Sequence, residues 1–460
     1  MTTTVFAWDE LRRGVQADLL GSFATHLARL SWNCDQILAE QRRGLARLLA
    51  HAAEHSPFHA RRLRGIDLNA VDPCDMSALP VMTKTDMMAA LDDVFTDRRL
   101  RRADVESALS HTRAEPVPLL GRYVALASGG CSGSRGVFVM DRDGLASFAC
   151  AVVRPPASGA GPNLLRGNVV GAMVAAPSAV HATGLATALA GGDGPFGRFH
   201  LVPATRPLAA IVEELNAMRP TILSGYASML VRLAVETRAG RLRIRPEQVS
   251  STSETLLPEM RSLIGAAFEV PVFDGFGSTE GLFGKTGPDD DTFAFNTDMC
   301  VVELVDGENC PVPVGVPAAK VLLTNLFNLT QPLIRYELTD TFVQVADVPG
   351  HGHLRARVRG RSDEIFHYPD GTAIHPIAIR SVIVATPEIV DYQVVQTVGG
   401  VEVSAVATTD FAADEFATRL TRSLTAAGQT RPQVSARAVE RLDRNPVSGK
   451  FRRFVPLPES

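Results

Sequence analysis

The chain has 460 residues, 45% hydrophobic and 21% charged, the profile of an ordinary globular protein able to bury a large core. At roughly 100–200 residues per domain, that length calls for about two to four domains. Its 46 basic and 50 acidic residues leave a net charge of −4, which argues against a protein built to neutralise phosphate backbones, so no nucleic-acid partner is expected. Only four lysines occur (Lys84, Lys285, Lys320, Lys450), and arginine carries nearly all the positive charge. Where a lysine persists in such a chain, a compact ammonium is wanted that a planar guanidinium cannot replace. The six cysteines are scattered without a CxxC, as expected for reduced thiols of a cytoplasmic protein. The N-terminal MTTTVFAWDELRRG lacks the basic-then-apolar order of a signal peptide. No uncharged apolar run reaches the ~18–20 residues that cross a bilayer, so no membrane partner is expected.

Taken in chain order, Leu27, Leu30, Ile37, Leu38, Leu45, Leu48 and Leu49 fall near i, i+3, i+4 spacing and predict helix within 24–63, stopped at Pro57. From Tyr123 onward short β-rich runs alternate with helical stretches. VVGAMVAA (169–176) precedes a helical 207–218, then TILSG (221–225), then a helical 227–240. That alternation predicts α/β units around a largely parallel sheet. After Asp298 the texture is strand-rich, with MCVVELVDG, KVLLTNL, PLIRYEL and TFVQVADV punctuated by Pro and Gly, as in a β-hairpin subdomain. Beyond Arg361 a β-α-β pattern and a helix near 411–427 predict a small α+β domain. The expected fold class is α/β, a large N-terminal domain with a β-rich subdomain over 1–361 and a small C-terminal domain over 362–460.

Three motif-like strings carry little. His51-Ala-Ala-Glu54-His55, with His59 following, matches a zinc-protease pattern, but Pro57 breaks the regularity and solvated surface histidines are expected instead. GLFGKT (281–286) lacks the first glycine of a P-loop, because Thr279 stands there. GFGSTEG (275–281) has the spacing GxGxxxG, not that of a dinucleotide fingerprint.

One ordered set does fit together. ASGGCSGSRG (127–136) is a Gly/Ser-rich loop after the short run YVALA, able to bring backbone N–H groups close to an anion. FDGFGSTEG (273–281), PLIRYELTD (332–340), RGRSDEI (359–365) and NPVSGKFRR (445–453) follow in that order. Together they resemble the adenylate-forming superfamily of acyl-CoA synthetases, adenylation domains and luciferases, most closely its phenylacetate-CoA ligase-like branch. The stretches HSPFHARRL to SALPVMTKTD (55–86), PTILSGYASMLVRLA (220–234) and SETLLPEMRSLI (253–264) are similar to that branch too, so the resemblance covers nearly the whole chain.

That resemblance implies an enzyme that joins a carboxylic acid to ATP as an acyl-adenylate and then passes the acyl group to CoA. It implies ATP and Mg²⁺ as cofactors and a mobile C-terminal lid. Ser128, Gly129, Gly130, Ser132, Gly133, Ser134 and Arg135 would cradle the phosphates. Thr279 and Glu280 would sit beside them, with Glu280 holding Mg²⁺, since a hard cation prefers carboxylate oxygen. Ser253, Glu254, Phe276, Gly277 and Ser278 would line the nucleotide site, and Asp340 with Arg361 would hold the ribose. Asp363 would be the hinge, and Lys450 would stabilise the charge that shifts toward pyrophosphate. His181, Gly225, Tyr226 and Ala227 would line a pocket suited to a small planar aryl acid.

The sequence departs from the family at Gly129, Cys131 and Ser134-Arg135, where a hydroxyl residue, a threonine and Lys-Pro are usual. Asp370 stands where the CoA ligase branch tends to have a basic residue, so an amine or a carrier-protein thiol remains an alternative acceptor to CoA. A non-catalytic ATP-binding homologue is the distant alternative. The oligomeric state, homodimer included, is left open.

Overall fold

The computed structural model describes residues 2–128, 135–159, 169–191, 197–288, 290–361, 365–374, 376–386, 388–408, 410–444 and 451–457. Met1–Gly129 with Arg135–Arg359 form one compact unit, and Gly360–Ser460 form a second.

The first unit opens with a helix, Thr2–Ala28, that the reading above did not anticipate. Its buried stripe of Trp8, Leu11, Val15, Leu19 and Phe23 keeps three-to-four-residue spacing. A second helix, Cys34–His55, starts at an Asn33–Gln36 capping box. Pro57 does not end the helical region. It occupies the first turn of a new short helix, Pro57–Arg62, whose cap is Ser56. This geometry buries His59 completely, with Nε2 2.9 Å from the Pro332 carbonyl oxygen, so His59 is a core histidine and not a surface one.

The strands of this unit are β1 (Val124–Ala127), β2 (Val137–Met140), β3 (Val170–Ala175), β4 (Arg198–Pro203), β5 (Ile222–Gly225), β6 (Gln248–Thr252) and β7 (Val272–Gly277). They continue with β8 (Phe283–Thr286), β9 (Thr292–Phe295), β10 (Cys300–Val305), β11 (Lys320–Asn325), β12 (Tyr336–Leu338), β13 (Asp340–Gln344) and β14 (Arg355–Arg361). Nine of them form one sheet in the order β13-β14-β9-β8-β7-β6-β5-β3-β4. From β4 to β7 the pairing is parallel, as the helix–strand alternation predicts, and from β7 to β9 it is antiparallel.

One face of the parallel part carries Ala172, Val174, Leu223 and Val249 and packs on the helices Leu208–Met218, Ala227–Arg238 and Pro258–Phe268. Strands β10-β11-β12 form a separate antiparallel sheet, as the texture after Asp298 predicts, but β13 and β14 rejoin the large sheet.

The second unit holds the hairpin of β15 (Phe366–His367) and β16 (Ala373–Ile374) and a four-stranded sheet. That sheet orders β19 (Gln433–Ala438), β18 (Gly400–Ala407), β17 (Ile389–Thr397) and β20 (Phe454–Val455). The helices Pro376–Val384 and Ala413–Ala426 contribute Ile379, Ile383, Phe416, Leu420 and Leu424 to its core. Among the described residues no helix is long and apolar enough to cross a membrane.

Candidate active site

Parallel strands open a crevice where their carboxyl ends meet the following loops. At that end β5 runs into Tyr226, β6 into Ser253 and β7 into the turn 278–281.

The turn is locked by its surroundings. Ser278 N–H donates to the Leu282 carbonyl (2.9 Å), and Leu282 N–H donates to Ser278 Oγ (3.2 Å). Gly281 has φ +104°, and a Cβ there would run into Asn325 Nδ2 and the Phe327 ring. Asn325 Nδ2 donates to the Glu280 carbonyl at 2.8 Å. Asn296 Nδ2 donates to the Gly281 carbonyl (3.2 Å), while its Oδ1 accepts from Phe283 N–H (2.8 Å). Thr279 and Glu280 are thus presented half-buried on a fixed backbone. Beside them Tyr336 is fully buried. Its hydroxyl, without a hydrogen-bond partner among the described residues, is pushed well above the ordinary phenol range by burial and by the Glu280 charge.

The neck of the glycine loop is also built. Ser128 N–H donates to the Gly136 carbonyl (2.9 Å), and Gly136 N–H donates to Ser128 Oγ (2.8 Å). Ala127 N–H donates to the Val180 carbonyl at 2.9 Å, which ties this neck to the residue preceding His181. Gly129, Gly130, Ser132, Gly133 and Ser134 lie outside the described residues, as do Asp363 and Lys450. Arg135 is ion-paired with Glu106 of the helix Arg102–His111.

Sequence reasoning missed the clamp that joins this neck to the turn. Asn325 at the end of β11, and Asn328 and Gln331 in the loop after it, are buried amides. Gln331 accepts from Val139 N–H (2.7 Å) and donates to the Val137 carbonyl (2.9 Å), and Asn328 Nδ2 donates to the Val139 carbonyl (3.0 Å). The loop therefore holds the β1–β2 hairpin with one end and the Glu280 turn with the other. Three amides within TNLFNLTQ were the available signal, since a buried amide must find partners.

Glu254 Oε2 accepts from Ser228 N–H (3.0 Å) and Ser228 Oγ (2.5 Å), at the N-terminus of the helix Ala227–Arg238, where a carboxylate is favoured. Tyr226 is fully buried, and its hydroxyl accepts from Ala176 N–H at 2.9 Å. Gly225 and Ala227 are buried on either side of it. Ser253 takes φ +65°, a strained value for a residue with a side chain.

Phe276 is half-buried, its ring edge-on to Phe342 at 5.4 Å and to Phe295 at 5.6 Å, and Gly277 is exposed at the strand end. His181 is half-buried just before the helix Ala182–Ala190. Asp340 is half-buried at the start of β13, and Arg361 ends the neighbouring β14. Asp274 on β7 is buried. Desolvation pushes it up to about 7, opposed by Arg261 and by hydrogen bonds from Ser251 and the Gly275 and Leu256 N–H groups.

No protein-family model and no curated protein matches the chain. Among solved structures, 2-hydroxyisobutyryl-CoA ligase in the postadenylation state, in complex with R3-HIB-AMP, is similar with a TM-score of 0.68 at 19% identity, over 94% of this chain and 91% of that one. An anthranilate CoA ligase in complex with anthranoyl-AMP is similar with a TM-score of 0.51 at 16% identity, over 70% of this chain and 64% of that one. A benzoate CoA ligase from Burkholderia xenovorans LB400 is similar with a TM-score of 0.51 at 20% identity, over 71% of this chain and 69% of that one. The chain has the fold of the adenylate-forming CoA ligases.

Proposed function

We propose that this protein is an ATP-dependent ligase that activates a small carboxylic acid as its acyl-adenylate and transfers the acyl group to CoA. The observation that carries the reading is the locked turn presenting Thr279 and Glu280 at the crevice of a fold shared with CoA ligases held with acyl-AMP. The order of the motifs favours the phenylacetate-CoA ligase-like branch.

In the first step a substrate carboxylate oxygen bonds to the α-phosphorus of ATP, and pyrophosphate leaves. In the second the CoA sulfur bonds to the acyl carbon, AMP leaves, and the thiol proton goes to solvent. The residues suit the groups required. Glu280 offers a hard carboxylate beside the buried Tyr336 hydroxyl and would hold Mg²⁺, which neutralises phosphate charge when bound. Ser128 and the glycine loop would receive the phosphates, Phe276 would face the base, and Asp340 with Arg361 would take the ribose hydroxyls. Arg135 would have to leave Glu106 to join them. Lys450 would act in the first step only.

Asp370 accepts from Thr372 N–H at 2.9 Å, next to Gly371 at φ +84°. This turn chemistry accounts for Asp370 without reference to the acceptor, so CoA precedes an amine or a carrier thiol. ATP and CoA as substrates, with Cys34, Cys74, Cys150, Cys300 and Cys310 all unbonded, favour a cytoplasmic location.

The test is pyrophosphate release from ATP and Mg²⁺ across a panel of carboxylic acids, followed by mass spectrometry with CoA and amines in competition. Acid-dependent release with a CoA thioester is the expected result. Absence of release with every acid refutes the reading, and an amide in place of the thioester refutes its second step.

A further inference from the structure

Over β5 and β6 the second face of the large sheet is polar where a core would be apolar. The registers place Met173, Ser224, Ser250 and Phe273 side by side across β3, β5, β6 and β7. In the next row Thr252, Gly275, Lys285 and Ala294 lie side by side across β6 to β9. Ser224, Ser250, Thr252, Gly275, Phe273 and Lys285 all keep partial exposure, although they sit on interior strands. The helix Ala182–Ala190 packs beside β3 and β4, and the helix Arg142–Gly159 beside β8, through Phe148 against Phe283 at 5.0 Å. That partial exposure marks the floor of β5 to β7 as open beside the strand ends that lead to Tyr226 and Ser253.

Gly275 has no side chain, so the neighbouring Lys285 can lie along this floor, and its Nζ stands 4.0 Å from the centroid of the Phe273 ring. Gln248 donates from Nε2 to Ser250 Oγ at 3.1 Å. Its Oε1 is buried and has no partner among the described residues. Burial lowers Lys285 to about 8, so the ammonium is still mostly charged at neutral pH. A plain aryl or alkyl acid seated here would take water from an ammonium and three hydroxyls and offer them no hydrogen bond. Phe273, over which the ammonium stands, is level with Ser250, two residues before the end of β6, so along that strand it lies about 7 Å below the strand end at ~3.3 Å per residue. One short acyl chain or one ring spans that depth.

We propose that Lys285 receives a second carboxylate of the substrate, so that the acid activated is a short-chain or aromatic dicarboxylic acid. This rests on the adenylation reading above and replaces the simple aryl acid expected from the sequence. An ammonium has three donors, so it can meet a carboxylate while keeping other contacts. It is also one of only four lysines in an arginine-dominated chain.

The experiment measures pyrophosphate release by the full chain with matched acids: glutarate against valerate, succinate against butyrate, and terephthalate against 4-toluate. The native enzyme favours at least one diacid over its monoacid partner by about 30-fold or more in kcat/KM, and Lys285→Met brings that ratio to about one. Should Lys285→Met fail to fold, calorimetric titration of the native enzyme with the same pairs must give the same ranking. Adenylation of the monoacids in preference to the diacids, or a ratio unchanged by Lys285→Met, overturns the proposal and leaves the ligase reading intact. Release with no acid of either kind overturns both.

Discussion

At the scale of single residues, the backbone of the turn 278–281 matters as much as the side chains it presents. Gly281 combines a left-handed φ with contact on Asn325 and Phe327, so Gly281→Ala must shift the turn that carries Glu280. The expected outcome is a loss of roughly 1–3 kcal/mol in unfolding free energy. On the proposed function, acid-dependent pyrophosphate release should fall at least tenfold, the cost of a displacement of about 1 Å at the reacting groups. Unchanged kinetics would show that the turn does not position the reacting groups.

Asp274 carries a pH signature. Its folded-state value, about 7, lies above the ordinary carboxylate value of 3.8. The stability it contributes is therefore complete below pH 4 and is lost as pH rises through 7. Asp274→Asn removes this dependence. The melting temperature of the variant relative to the native chain should rise between pH 4 and pH 7 and then level off. A constant difference across that range would mean that Asp274 is ionised in the folded protein.

Between elements, buried polar groups fix the packing. Arg154, on the helix Arg142–Gly159, grips Asp298 just before β10 through two hydrogen bonds of 2.8 and 2.5 Å, and neither side chain is exposed. Burial alone would raise Asp298, but Arg154 holds it below the usual carboxylate range. Breaking one side of such a pair strands a charge, so Arg154→Met should cost about 3–5 kcal/mol in denaturant unfolding. Arg154→Met with Asp298→Leu should recover most of it. If the double variant is no better than the single one, the pair's role is hydrogen-bonded geometry and not charge compensation. The Asn325–Asn328–Gln331 clamp follows the same logic without charge: each amide is buried and satisfied by backbone, Asn325 by the Glu280 turn, Asn328 and Gln331 by β2.

For the whole molecule, the chain divides into two compact units. On the proposed function, Asp363→Pro fixes φ near −65° at the hinge and should leave pyrophosphate release largely intact while blocking thioester formation. Lys450→Ala should do the converse, lowering adenylation by roughly 10²-fold while a supplied acyl-adenylate is still converted. Separate assays of the two half-reactions decide the matter. Equal loss of both in either variant would remove domain alternation from the mechanism.

The α/β class, the strands β3 and β5, the helices over 207–218 and 227–240, and the order of the motifs were legible in the sequence, because periodicity and glycine spacing are local; β4 and β6 were not read. The helix Thr2–Ala28 was legible too, in the spacing of Trp8, Leu11, Val15, Leu19 and Phe23, and was passed over. What only the tertiary structure decided is long-range pairing. Pro57 starts a helix instead of ending one because Ser56 caps it, and His59 is core because Pro332 arrives from a distant loop. Glu254 is held by Ser228, and Arg135 by Glu106, through partners that no local pattern announces. Lys285 reads as part of a failed P-loop until strand register sets it beside Gly275 and over Phe273, since register, not sequence neighbourhood, determines which side chains share a face.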